Sequence, residues 1–150
     1  MPVPAAASLK VVARFLDGRT LKGATHDFSP DKEQFHVVPE GGDRSRAVVV
    51  SIGALKAIFF VKSFKGNKYQ VDDRTFRLAG DRGRPVRIRF KDGEEIAALA
   101  PGSTVGRAGF FVVPADPRSN NQRIFVLHAA VAEVTWVDRL PEGRSRSRAG

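Results

Sequence analysis

Three histidines, His26, His36 and His128, are the obvious candidates for metal or proton chemistry in this 150-residue chain, and their spacing speaks against it. No two form an HxH or HxxE pattern, so a metal site or an acid–base pair would need them to converge with carboxylates from separate segments. They read as surface or core-edge side chains. The serines lack the sharp glycine-flanked turn that activates a nucleophile. Gly102-Ser103-Thr104-Val105-Gly106 is a glycine-rich loop, but no helix follows it, so it is neither a Walker nor a Rossmann phosphate cradle. The chain has no cysteine, which excludes a disulfide framework, thiolate metal sites and a cysteine nucleophile. The expectation is a non-enzyme with no catalytic residue, no metal and no cofactor.

Basic side chains offer a different chemistry. Lysine and arginine number 25 against 16 acidic residues, a formal charge of +9 and a pI near 10.6. Such a balance suggests an anionic partner, RNA or another polyanion, held by counterion release at phosphates and by base stacking on exposed rings. The residues expected to serve it are Arg14, Arg87 and Arg89 on outward strand faces and Arg144, Arg146 and Arg148 in an Arg-Ser tail. Phe59 and Phe111, out of phase with the core residues, are expected to be exposed and to form an interface. The charge is spread thinly, however: residues 1–64 carry +3, and residues 65–83, 84–137 and 138–150 carry +2 each. Any anion binding resting on it would be weak and salt-sensitive.

The elements that position these residues come in two copies. Val11-Val12-Ala13-Arg14-Phe15-Leu16-Asp17-Gly18 overlays Val86-Arg87-Ile88-Arg89-Phe90-Lys91-Asp92-Gly93 at an offset of 75. From Val11 to Pro39 nine of 29 columns are identical, and a one-residue insertion then sets Val48–Val61 over Ile124–Val137, giving 12 identities in 43 columns. This is an internal duplication. It divides the chain into a first domain at 9–64, a partly packed connector at 65–83, a second domain at 84–137, and flexible termini at 1–8 and 138–150. In the connector, Tyr69, Val71, Phe76 and Leu78 supply the packing. Each copy is about 55 residues, near the lower limit for an independent core, so the copies are expected to pack on each other as a pseudo-dimer with Phe59 and Phe111 nearby.

Within each copy apolar residues recur with period two. Val86, Ile88 and Phe90 point inward while Arg87 and Arg89 point outward. Asp17-Gly18 and Asp92-Gly93 are strong hairpin signals. Third strands at Phe35–Val38 and Phe110–Val113 each end in proline, and fourth strands follow at Val48–Val50 and Ile124–Leu127. One tight turn separates each of these from a last strand, Ala57–Val61 or Glu133–Val137. The fold class is all-β: two tandem five-stranded SH3-like small barrels related by internal duplication.

Val11-x-Ala13-x-Phe15-x-Asp17-Gly18-Arg19-Thr20-Leu21-Lys22-Gly23, followed by Phe28, resembles the first motif of the Sm-like small barrels shared by Sm proteins and Hfq. The second copy departs from it, with Ala98 for the glycine and Ser103 for the aromatic. The tandem arrangement is also similar to an uncharacterised bacterial family of duplicated barrels. Sm-like proteins typically form rings that bind single-stranded RNA through a loop asparagine and an arginine-glycine pair. Here Asp31-Lys32-Glu33 and Ser51-Ile52-Gly53 stand in those places, so the RNA-site residues do not transfer. Asp27-Phe28-Ser29-Pro30 with Arg44-x-Arg46 resembles the cyclic-dinucleotide motif of PilZ barrels, in altered order and spacing.

These features imply a non-enzymatic binding or assembly module. RNA or another polyanion is one expected partner, and a homo-oligomer or protein partner meeting barrel faces is the alternative. A PilZ-like cyclic dinucleotide sensor is a minor one. No apolar run approaches the roughly 18 residues of a membrane span. With no signal-like start, a cytoplasmic setting without membrane contact is expected.

Overall fold

The computed structural model describes residues 8–65, 72–77, 79–80, 82–101 and 108–137. The calls made on Tyr69, Val71, Leu78, the Gly102–Gly106 loop with Ser103, Arg144, Arg146, Arg148 and the termini at 1–7 and 138–150 lie outside these residues.

Ten strands form, five from each copy and in the same order. They are β1 (Leu9–Phe15), β2 (Thr20–Thr25), β3 (Gln34–Pro39), β4 (Val48–Ser51) and β5 (Leu55–Val61), then β6 (Arg84–Phe90), β7 (Glu95–Ala100), β8 (Gly109–Pro114), β9 (Asn121–Leu127) and β10 (Val131–Trp136). Single 3-10 turns, Ile52–Ala54 and His128–Ala130, join the fourth strand to the fifth in each copy. Both first hairpins turn on Asp-Gly. Gly18 and Gly93 sit at φ +94° and +95°, a left-handed conformation that closes a three-residue loop with a bulge. The preceding aspartates brace the turns: Asp17 accepts the Arg19 N–H and Asp92 the Glu94 N–H, each at 3.0 Å.

All ten strands join one open antiparallel sheet in the order β10-β6-β7-β8-β9-β5-β1-β2-β3-β4. The ladder does not close within each copy. It passes through a central junction where β5 of the first copy pairs with β9 of the second: Ala57 lies opposite Val126, Ile58 opposite Phe125, and Phe59 opposite Ile124. Among the described residues the outermost strands are β10, paired only with β6, and β4, paired only with β3.

Two cores flank the junction, and each takes residues from both copies. The first combines Val11, Phe35, Leu55, Ile58 and Phe60 with Phe125 and Leu127. The second combines Val86, Ile88, Phe90, Val112, Ile124 and Val126 with Ala57, Phe59 and Val61. β5 and β9 thus lie between two cores. Every residue of β5 is buried, which is why its sequence is apolar almost without interruption.

Candidate functional site

The residues singled out for chemistry do not converge. Among the described residues no group of three or more His, Cys, Asp and Glu side chains could hold a metal ion. His36 on β3 has one carboxylate beside it: Asp27 takes its backbone N–H at 2.9 Å and its ring Nδ1 at 2.7 Å, and also the Thr25 hydroxyl at 3.2 Å. Burial pushes the Asp27 pKa up, but the His36 and Thr25 hydrogen bonds outweigh it and hold the carboxyl below its ordinary value. This pairing fastens the loop before β3 to the strand. His128, in its 3-10 turn, stacks at a tilt on Phe110, 5.3 Å between ring centres. Of the cyclic-dinucleotide elements, Asp27–Pro30 precedes β3, whereas Arg44–Arg46 is a separate 3-10 turn before β4.

The strand arginines are exposed, as their outward phase requires, but each has a neighbour of its own. Arg14 reaches Glu94 at 3.9 Å and lies over the Phe59 ring at 5.4 Å. Arg89 pairs with Glu133 at 2.8 Å. Arg87 lies over the Phe76 ring at 5.1 Å. Four strands separate Arg14 on β1 from Arg87 and Arg89 on β6 in the sheet order, so the ladder does not align them into one basic track.

Phe59 and Phe111 are not the exposed rings expected of them. Phe59 is buried in the second core, because β5 is covered on both faces. Phe111 is half-buried and completes an aromatic group with Phe28, Phe60 and Phe125. Arg123 lies over Phe60 and Phe111, 4.5 and 4.6 Å from the ring centres, and partial burial pushes its pKa below the ordinary value.

Two polar devices bind the copies and the connector together. Lys56, buried on β5, reaches the β6–β7 hairpin, donating to Asp92 at 2.7 Å and to Glu94, with the Phe90 ring 4.7 Å away. Asp116, fully buried after β8, accepts the Asp73 N–H of the connector at 2.7 Å and is gripped by the Arg118 guanidinium at 2.9 and 3.0 Å. The Arg118 hydrogen bond, opposed by burial and reinforced by the backbone donors, holds the Asp116 carboxyl far below the carboxylate range. Both devices border a groove of about 430 Å³ between the copies. Its wall mixes Arg14, Lys22, Lys65 and Arg74 with Asp72, Asp73, Glu94 and Glu95, so it offers no uniform charge.

The outer strands present something else. Among the described residues six large hydrophobic side chains are exposed: Leu9, Leu16, Val48, Val49, Val134 and Trp136. Four of the six lie on β4 and β10, the two strands with a free edge. The alignment pairs Ile58 with Val134 and Phe60 with Trp136 as matched core positions, yet their burial differs. Ile58 and Phe60 are 0% and 2% exposed, Val134 and Trp136 37% and 47%. On the other side Val48 and Val49, 41% and 54% exposed, align with Ile124 and Phe125, at 3% and 0%. The duplication contains the signal for this: a central strand and its edge counterpart share a pattern but not an environment.

A family model described as "Family of unknown function (DUF6982)" matches residues 7–138. The chain belongs to this family. Its model thus spans both copies, the connector and both edge strands of this DUF6982 chain. No curated protein and no solved structure matches the chain. No helix among the described residues is long and apolar enough to cross a membrane.

Proposed function

We propose that this DUF6982 protein is a non-enzymatic assembly module made of two Sm-like small barrels, acting in the cytoplasm through protein contacts on its outer strands. One observation carries the reading: among the described residues, four of the six exposed large hydrophobics lie on the two strands whose edges are free. Strand edges are usually blunted by charge, proline or a covering element, because bare backbone donors and acceptors recruit other strands. Here valines and a tryptophan occupy them, which favours a partner. Binding of RNA or another polyanion is the lesser reading, since Arg14 and Arg89 already face carboxylates. The cyclic-dinucleotide reading has least support, since Asp27 is already engaged by His36 and Thr25.

Light-scattering mass measured over a wide concentration range tests the assembly reading. The expected result is a mass above the 16.4 kDa of one chain, brought back toward it by Val49→Asp. A strict monomer at every concentration overturns the reading.

A further inference from the structure

We propose that the groove between the two copies is a binding site for a small organic anion, a carboxylate or phosphate head carried on an apolar body. Its volume, about 430 Å³, is that of a small-molecule pocket. The proposal stands apart from the assembly reading, because the site uses neither free edge and one chain suffices to form it.

The floor of the groove follows from the ladder. Directly opposed residues of antiparallel strands share a face, and one such row crosses four strands: Lys22 on β2, Val12 on β1, Phe59 on β5 and Ile124 on β9. Three apolar side chains therefore lie side by side and end at an ammonium. Val12 occupies an outward phase of β1, where alternation calls for a polar residue. Its equivalent in the second copy is Arg87, and that of Lys22 is Ala97. The second copy thus has neither the apolar floor nor its charged end, and the site belongs to the junction rather than to the repeat.

The walls are anchored on both sides. Asn120 accepts the Ser63 N–H at 3.2 Å and donates to the Ser63 carbonyl at 2.9 Å, and Asp116 holds the Asp73 N–H. Lys65 and Arg74, both in the groove wall, stand within two residues of these anchors.

Both signs of charge line the groove, but most of its acids are already engaged. Asp116 is held by Arg118, Asp73 accepts from Thr75 and Arg77, Glu94 is shared by Lys56 and Arg14, and Asp72 lies in the field of Arg118. Among the described residues Lys22, Lys65 and Arg74 have no carboxylate partner, and of the groove acids Glu95 has no cationic one. Three uncommitted cations thus face one uncommitted carboxylate. That balance selects an anionic head, and the Val12-Phe59-Ile124 row selects an aliphatic or aromatic body behind it. Arg14, 3.9 Å from Glu94, is loosely enough paired to turn toward the same head.

Anilinonaphthalene sulfonate, an anionic head on an aromatic body, is a suitable fluorescent probe for the full-length chain. It is expected to bind saturably, with amide shifts in NMR spectra concentrated at Val12, Lys22, Lys65 and Ile124. Octanoate or octyl phosphate should displace it, the stronger of the two naming the head, whereas octylammonium should not. Lys22→Ala and Arg74→Ala, both at exposed positions that leave the fold intact, should each weaken the probe by about threefold to tenfold, and Glu95→Gln should tighten it. The inference is overturned by an absence of saturable binding, by displacement with octylammonium as readily as with octanoate, or by affinity indifferent to all three substitutions. Shifts centred on β4 and β10 instead of the groove overturn it too, and leave the assembly reading standing.

Discussion

β5 and β10 are the same strand made twice, and they lead opposite lives. The first is Leu-Lys-Ala-Ile-Phe-Phe-Val, buried at every position; the second is Val-Ala-Glu-Val-Thr-Trp, exposed at every position but its first. The difference lies in what each strand meets. β5 has β1 on one side and β9 on the other, with a core against each face. β10 has β6 on one side and, among the described residues, nothing paired on the other. Burial here follows from position in the ladder, and sequence has adapted to it: Ala57 and Phe59 on the inner strand correspond to Glu133 and Thr135 on the outer one.

Four measurements would break or sharpen that contrast, and the largest effect is expected at the centre. Ile58→Ala should cost ~2–5 kcal/mol in denaturant unfolding, the range for a fully buried branched side chain. At high dilution its equivalent Val134→Ala should cost below about 1 kcal/mol. Equal costs would show that β10 is as well covered as β5. Next comes Lys56→Ala, expected to lose ~1–3 kcal/mol by removing a buried ammonium that lies over the Phe90 ring together with its two ion pairs to half-exposed carboxylates. Ala132→Gly at the outer equivalent should lose less, and a reversal would remove the Lys56 clamp from the account of the junction.

Acid stability separates the buried aspartate from the surface. The Asp116 pKa is lowered in the folded protein, so its contribution is complete above the ordinary carboxylate value of 3.8 and is lost as pH falls below it. Melting temperature followed downward from neutral pH should therefore drop through this acid range. Asp116→Asn should lower stability at neutral pH and flatten that drop, whereas an unchanged acid limb would count against the role assigned to this carboxylate. The smallest effect is expected from Arg89→Ala, whose surface pair with Glu133 is worth ~0–1 kcal/mol. The same change should leave affinity for single-stranded RNA within about twofold; a large loss with a reduced salt slope would favour the polyanion reading instead.

Much of this arrangement was legible from residues alone. Turn glycines at 18 and 93, alternation in Val86–Phe90 and prolines at 39 and 114 locate the strands to within a few residues. The junction was harder. A period-two reading of Ala57-Ile58-Phe59-Phe60-Val61 turns Phe59 outward, although an unbroken apolar run already indicates a strand covered on both faces. Nothing local tells which strand covers it, because ladder partners far apart in sequence are chosen by the packing of the whole sheet. Asp116 was equally hidden: its partners include a backbone N–H 43 residues away, and backbone groups carry no sequence signal. The edge residues Val134 and Trp136 passed as core because their equivalents in the first copy are core.

The two shared strands also bear on how the molecule comes apart. Since each core borrows side chains from the other copy through β5 and β9, neither half can open while the other keeps its interior intact. Two duplicated units would ordinarily melt as two cooperative blocks. Here the central pair couples them into one, so the amides of β5 and β9 should exchange with solvent only through global unfolding, while those at the free edges of β4 and β10 exchange through local fraying. The two copies should therefore behave as a single folding unit, with its most protected hydrogen bonds where they meet.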